Sequence, residues 1–267
     1  MSDVLEELAA RRRSDAKLRE AEVPFDEMMR RAAAIDRPSA FASALRPADD
    51  ARPRVIAELK RASPSEGMIR DVFRPVDLAR ELVGAGAAAL SVLCEPHRFL
   101  GGEDYLQAAR GAVTAPILYK DFITTRYQLA AARAAGADAA LLIAAVLDDA
   151  ALKDLLDFAH AVGLDALVET HDGNEIVRAV QAGARIVGVN CRNLRDFSTD
   201  VSLLERLVAK IPRPCIRVAE SGMHSAEAIA RAQSAGADAF LVGTALMRAE
   251  RPGEKLKEML SLPTSNF

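Results

Sequence analysis

The sequence predicts an α/β protein, a (β/α)8 TIM barrel with extra N-terminal helices, and three observations carry that expectation. The chain of 267 residues is half hydrophobic with only 4% aromatic residues, so its core is built from Ala, Val, Ile and Leu, which fill parallel sheets and barrel interiors. The tripeptide Ala-Gly-Ala recurs at Ala85-Gly86-Ala87, Ala135-Gly136-Ala137, Ala182-Gly183-Ala184 and Ala235-Gly236-Ala237, each time after a helix-patterned stretch and before an apolar run. Eight short apolar runs alternate with amphipathic stretches, the pattern of strands and helices in a parallel sheet.

Taken in order, Ser2–Arg19 and Phe25–Ala34 read as two helices ahead of the first strand. Residues 1–50 are therefore expected to form a helical extension that covers the barrel or frames its mouth. No Gly/Ser linker separates it, so residues 1–267 are expected to form a single domain. The strands are expected at Val55–Lys60, Ala89–Leu93, Pro116–Lys120, Ala139–Ala144, Asp165–Glu169, Ile186–Asn190, Ile216–Glu220 and Ala239–Val242. Between them, Pro75–Val83, Tyr127–Ala135, Ala150–Val162, Ser202–Lys210 and Ser225–Ala235 show apolar residues at helical spacing. The glycines at 86, 136, 183 and 236 lie 50, 47 and 53 residues apart. Glycine tolerates the positive φ that commonly follows a helix, so each copy reads as a helix stop leading into a strand. A period of that size is about two βα units, and four such periods make eight units, the number a closed barrel needs.

Composition also excludes functions. A formal charge of −3 and an isoelectric point near 5.9 supply no basic field to hold nucleic acid or an anionic membrane surface. The longest apolar run, Ala139 to Leu147, is too short to span a bilayer, and the charged first 30 residues show no secretory h-region. Cys94, Cys191 and Cys215 are odd in number and lack disulfide or metal-ligand spacing, which fits a reducing cytoplasm and implies no structural metal. No separate interface segment is apparent, and a monomer is the expectation.

Side chains two apart on a barrel strand share a face. Ile56, Glu58 and Lys60 form one such set, followed by Leu118 and Lys120, Leu167 and Glu169, Gly188 and Asn190 continued by Arg192, and Val218 and Glu220. Every set ends in a polar or charged residue at the C-terminal end of its strand, the active-site face of this fold. Any one of these charges could be a solvated strand end; five strands doing so together point to a shared cleft. Ions in such a cleft must be paired, and a mixed-sign cluster shifts pKa values in the way proton transfer requires. After the last two strands, Ser221-Gly222 and Gly243-Thr244 stand where barrels commonly bind phosphate through loop N–H groups and hydroxyls.

The run Ile56-Ala57-Glu58-Leu59-Lys60-Arg61-Ala62-Ser63-Pro64-Ser65-Glu66-Gly67 resembles the signature of the indole-3-glycerol phosphate synthase family. Further matches follow in family order: Ser91-Val92-Leu93 with Phe99 and Gly101-Gly102, Lys120-Asp121-Phe122, Leu167-Val168-Glu169, Gly188-Val189-Asn190 with Arg192-Asn193-Leu194, Ala219-Glu220-Ser221-Gly222, and Val242-Gly243-Thr244. The resemblance covers the whole barrel.

It implies a carboxy-lyase (lyase, decarboxylase) of tryptophan, hence aromatic amino acid, biosynthesis. The implied substrate is a phosphorylated small molecule, 1-(2-carboxyphenylamino)-1-deoxyribulose 5-phosphate, cyclised to indole-3-glycerol phosphate with loss of carbon dioxide and water, without metal or organic cofactor. By similarity, Lys120 is the general acid at the substrate ketone, Glu169 a base or electrostatic partner, and Lys60, held by Glu58, a candidate acid for dehydration. Which lysine acts at which step stays open. Asn190 and Glu220 are implied at the sugar hydroxyls and developing cationic nitrogen, and Arg192 at the carboxylate. Ser63, Ser221, Gly222, Gly243 and Thr244 are implied at the phosphate, and Phe122 and Phe99 around the anthranilate ring.

The chain departs from the family pattern at Cys94, where threonine is frequent, at Cys191 between Asn190 and Arg192, and at Thr244, where serine is frequent; none removes a catalytic group. Alternation turns Cys191 toward the helices. His171, two residues past Glu169, is read as a solvated loop histidine, and His97, His160 and His224 are assigned no role. Three other readings remain at this point, one of them an active barrel redesigned or drifted toward a related substrate. Phosphoribosylanthranilate isomerase, another phosphate-binding barrel, is expected to carry cysteine where this chain has Lys60. A non-catalytic barrel is expected to have lost some acids or bases.

Overall fold

A computed structural model describes residues 3–36, 40–47, 52–191 and 200–261. Eight parallel strands close into a barrel: β1 (Arg54–Leu59), β2 (Ala89–Leu93), β3 (Ile117–Lys120), β4 (Ala139–Ile143), β5 (Asp165–Thr170), β6 (Ile186–Val189), β7 (Ile216–Ala219) and β8 (Ala239–Val242). Neighbours in sequence pair in order, and β1 pairs with both β2 and β8 to complete the ring. The expected strands agree to within a residue or two. Lys60, Asn190 and Glu220 fall just past their strand ends, where ladder pairing stops and the side chains turn into the mouth.

The helices are α1 (Asp3–Glu22), α2 (Phe25–Ala33), α3 (Phe41–Leu45), α4 (Pro75–Gly84), α5 (Glu103–Ala112), α6 (Arg126–Ala134), α7 (Asp149–Ala161), α8 (Gly173–Ala182), α9 (Val201–Val208), α10 (Ala226–Ser234), α11 (Thr244–Arg248) and α12 (Pro252–Leu260). Polar residues in the strand-to-helix loops start several of them. Asp148, Asp172, Asp200 and Ser225 accept backbone N–H groups at the N-termini of α7 to α10, and Thr125 with Gln128 forms a capping box on α6. Such caps satisfy donors that the first helical turn leaves free.

The repeated Ala-Gly-Ala does the work expected of it. Gly86, Gly136, Gly183 and Gly236 all have positive φ, between 92° and 106°, and each breaks a helix just before a strand. The sequel adds a device: Asp138 and Asp238, each two residues past its glycine, send a carboxylate to the backbone N–H of Ile117 and Arg217 at 2.8 and 2.9 Å. Their own N–H groups return bonds to the carbonyls of the same two residues. One aspartate thus locks β4 to β3 and the other β8 to β7 at the bottom of the barrel, each held by an arginine, Arg110 or Arg213.

Alternation divides the strands into two cores. Val55, Ala57, Leu59, Leu90, Val92, Tyr119, Leu142 and Val168 pack outward against the helices, and so does Cys191. Ile56, Ala89, Leu118, Leu141, Leu167, Ile186, Val218 and Leu241 fill the interior. Both ends of that interior are closed by the N-terminal segment. Phe41 and Leu45 of α3 are fully buried in the same cluster, and the backbone N–H of Ala42 reaches Asp165 at the start of β5, so α3 plugs the bottom. Leu5 and Leu8 of α1 join it from the mouth, while α2 packs on α6 through Met28, Tyr127, Ala130 and Ala131.

What fastens α1 is a buried ion pair. The Arg12 guanidinium grips both oxygens of Asp121 at 2.6 to 3.0 Å, and the Asp121 side chain is inaccessible to solvent. His97 with Asp15 and Arg19 with Glu103 add outer ties, and the Tyr127 hydroxyl donates to the carbonyls of Arg19 and Val23 where α1 ends. Arg12→Met strands the Asp121 carboxylate and is expected to lower the unfolding free energy by about 3 kcal/mol. A urea titration should show the lower midpoint with an unchanged native far-UV spectrum; an unmoved midpoint would exclude α1 from the cooperative unit.

Candidate active site

The strands deliver their last inward-facing residues to one cavity of about 560 Å³ at the C-terminal end of the barrel. Glu58, Lys60, Ser63, Phe99, Lys120, Phe122, Glu169, Asn190, Glu220, Ser221, Gly222, Gly243 and Thr244 all line it. Arg192 lies outside the described residues.

The charged floor has two halves. On one side Lys60 Nζ lies 2.8 Å from Glu58 Oε1, and Ser91, the inward residue of the neighbouring strand, donates to Glu58 Oε2 at 3.4 Å. On the other, Lys120 Nζ donates to Glu169 Oε2 and to Glu220 Oε2, both at 3.1 Å. The three carboxylates are nearly inaccessible, between 4% and 7% exposed. Burial opposes the charge on Lys120, yet Glu220, Glu169 and Glu58 outweigh it and hold the ammonium well above the ordinary lysine range. Burial likewise opposes ionisation of Glu58 and Glu169, but Lys60 and Lys120 respectively outweigh it, so both stay below the usual carboxylate range. Glu220 goes the other way. Burial and the neighbouring Glu169 charge prevail over Lys120 and raise it to about 8, so the two carboxyls are pushed apart in proton affinity. The site therefore offers an ammonium held charged beside carboxyls of opposed proton affinity, the combination acid–base catalysis needs.

Two glycines make this crowding possible. A Cβ on Gly188 would sit far inside contact distance of Glu220 Oε1, and one on Gly243 would do the same to Glu58 Oε1 and crowd Lys60 Nζ. Gly188 lies between Glu169 of β5 and Val218 of β7 in the ladder, so its missing side chain is the space in which the β5 and β7 carboxyls meet.

The other walls differ in character. Ser63, Gly222, Gly243 and Thr244 bring N–H groups and hydroxyls to one rim, with Ser221 bonded to the Asn190 side chain. Elsewhere in the lining, Phe99 and Phe122 pack with ring centroids 6.3 Å apart. The Phe99 loop is shaped by Glu95, fully buried, whose carboxylate accepts the backbone N–H groups of His97, Arg98 and Phe99 at 2.7 to 2.9 Å.

Several contributors were not found in the sequence. Val4, Leu5 and Leu8 of α1 line the cavity, as do Ile143, His224 and Arg248. Arg248, at the end of α11, pairs with Glu66 in the loop after β1, and Arg70 of that loop donates to the carbonyls of Met247 and Ala249. The reading of His171 is corrected. Its side chain is only 20% exposed, lies against Glu169 and Glu175, and is not a solvated loop histidine, because α8 begins at once and folds Glu175 back over it.

Comparison with known proteins agrees with this geometry. The family model described as indole-3-glycerol phosphate synthase matches residues 5–259. Among curated relatives, the indole-3-glycerol phosphate synthase of Campylobacter curvus is 45% identical over 248 residues, covering 92% of this chain and 95% of its own. That of Acidithiobacillus ferrooxidans is 43% identical over 260 residues, covering 97% and 99%. Among solved structures, 3-hexulose-6-phosphate synthase from Salmonella typhimurium superposes with a TM-score of 0.62 at 15% identity, over 77% of this chain and 96% of that one. N-acetylmannosamine-6-phosphate 2-epimerase from Clostridium perfringens gives 0.60 at 18% identity, over 80% and 92%. At such identities these two structures speak for the barrel alone.

Gly188→Ala should displace the Glu220 carboxyl and lower turnover on the order of 100-fold, the usual consequence of moving a reacting group by about 1 Å. Steady-state kinetics beside a circular dichroism spectrum tests this; full activity would mean that the Glu169–Glu220 approach is dispensable.

Proposed function

The chain belongs to the indole-3-glycerol phosphate synthase family, and from that premise we propose how its residues divide the work. The family's reaction is decarboxylating ring closure in tryptophan biosynthesis: 1-(2-carboxyphenylamino)-1-deoxyribulose 5-phosphate yields indole-3-glycerol phosphate, carbon dioxide and water. An anthranilate ring carbon must attack the ketone, the carboxylate must leave, and a hydroxyl must depart as water. Condensation generates an iminium that serves as electron sink for decarboxylation, so the protein need supply only acids, bases and an apolar pocket.

Lys120 protonates the ketone oxygen. The supporting observation is its ammonium, shared by Glu169 and Glu220 at the centre of the cavity and kept charged at any working pH. Glu169 accepts a proton or stabilises cationic intermediates, with Lys60, oriented by Glu58, serving the substrate carboxylate and the dehydration. Asn190 and Glu220 contact the sugar hydroxyls and developing cationic nitrogen, and Arg192 the carboxylate end. The phosphate rests on Ser63, Ser221, Gly222, Gly243 and Thr244, and the aromatic ring between Phe99 and Phe122. The helical extension and barrel act as one unit, since α1 side chains line the cleft. A monomer suffices, because every group given a role comes from one chain. Free thiols at Cys94, Cys191 and Cys215 favour a reducing cytoplasm. No helix among the described residues is long and apolar enough to cross a membrane.

Supplying the carboxyphenylamino deoxyribulose phosphate and following indole fluorescence tests the activity directly. Lys120→Met is expected to lower kcat by at least about 100-fold with the fold intact; undiminished turnover would refute the acid assignment. Thr244→Val removes a hydroxyl from a charged ligand and is expected to raise KM about tenfold with little change in kcat. An equal fall in kcat and kcat/KM would move Thr244 out of ground-state binding.

A further inference from the structure

His171 touches the charged floor at Glu169 and has been given no role. It follows β5 directly, so Thr170 separates it from Glu169 and its ring returns to the same side of the sheet edge. Its backbone N–H donates to Glu175 Oε2 at 2.8 Å, and its Nδ1 lies 3.2 Å from the same oxygen. Its Nε2 lies 3.4 Å from Glu169 Oε1, the oxygen that does not receive Lys120. That approach is an ion-pair contact without hydrogen-bond alignment, and the buried Nε2 has no other partner among the described residues. The contacts therefore run in a chain through Glu175, His171, Glu169, Lys120 and Glu220.

We propose that His171 is a positioning residue for Glu169, clamped by Glu175 so that its imidazolium fixes one carboxylate oxygen while Lys120 fixes the other. Two opposed cations hold the carboxyl plane, and a doubly contacted carboxylate stays ionised in a cavity that otherwise disfavours charge. Burial opposes the charge on His171, but Glu175, Glu169 and, from β7, Glu220 outweigh it, so the ring holds its proton above the usual histidine range. Lys120 of β3, beyond Glu169, is the nearby opposing charge. Glu175 fixes the angle of the ring by accepting from both the His171 backbone N–H and Nδ1.

The inference rests on Glu169 being the working carboxylate, and the test separates the two. Removing the His171 cation relieves part of what holds the proton affinity of Glu169 down, so the acidic limb of kcat/KM against pH moves toward neutrality. For His171→Asn the expected shift is about one unit, a loss of about tenfold in kcat/KM on the acidic limb itself that fades on the plateau near neutral pH, with KM within about twofold. Glu175→Gln keeps an acceptor for the His171 N–H while removing the charge; it should shift the same limb in the same direction by less, and it stands in if His171→Asn does not fold. Glu169→Gln is measured alongside. If it loses turnover while both other variants keep the wild-type limb, His171 plays no part in setting Glu169 and the inference fails alone. If Glu169→Gln retains turnover, the role assigned to Glu169 falls and this inference with it.

Discussion

Everything at the mouth of the barrel depends on balancing charge where little water can reach. Burying an unpaired carboxylate or ammonium costs several kcal/mol, and β1, β3, β5 and β7 deliver three carboxyls and two ammoniums to one space. Lys60 neutralises Glu58 across 2.8 Å. Lys120 is left with two carboxyls, Glu169 and Glu220, and cannot neutralise both. Part of the remaining charge is met by His171 on the far side of Glu169, and Glu220, which lacks such a contact among the described residues, is raised while Glu169 is pushed down. The imbalance keeps an ammonium and two carboxyls of opposed proton affinity within hydrogen-bond reach of one another.

The barrel and its inward-facing charges were legible because they depend on local rules. Period-two alternation sorts Ile56, Glu58 and Lys60 from Val55, Ala57 and Leu59 without knowledge of any partner, and the cores divide along that line. The recurrent glycine marks helix ends because φ is a property of one residue. What could not be read are contacts between distant segments. Arg12 and Asp121 are 109 residues apart, and nothing near Arg12 in the sequence distinguishes it from Arg11 or Arg13. Glu95 looks like a surface loop carboxylate until its three backbone donors are seen. His171 was misjudged for the opposite reason: a histidine followed by Asp-Gly-Asn has the composition of a solvated turn, and only the start of α8 at Gly173 brings Glu175 back over the ring.

Absence of atoms is as necessary as their presence. Gly188 and Gly243 are the points where the sheet yields volume to side chains from neighbouring strands. Parallel strands in a barrel lie at a fixed spacing, so two large carboxyls can meet over an intervening strand only if that strand offers no side chain. Gly188 does this between β5 and β7, and Gly243 does it beside β1. The glycines therefore decide which ions can touch, and through that which carboxyl has the higher proton affinity.

The tie that holds α1 is set directly beside the chemistry. Asp121 lies between Lys120, which faces the carboxylates, and Phe122, which faces the apolar wall, and its own carboxylate is taken by Arg12. A shift of α1 must pull on the one residue that joins the charged half of the cavity to the aromatic half. The same helix puts Leu5 and Leu8 over the cavity, so the group that excludes water and the group that orients Lys120 and Phe122 are parts of one rigid element. The helical extension is in this way coupled to the placement of Lys120, and a change in its packing reaches the site through Asp121.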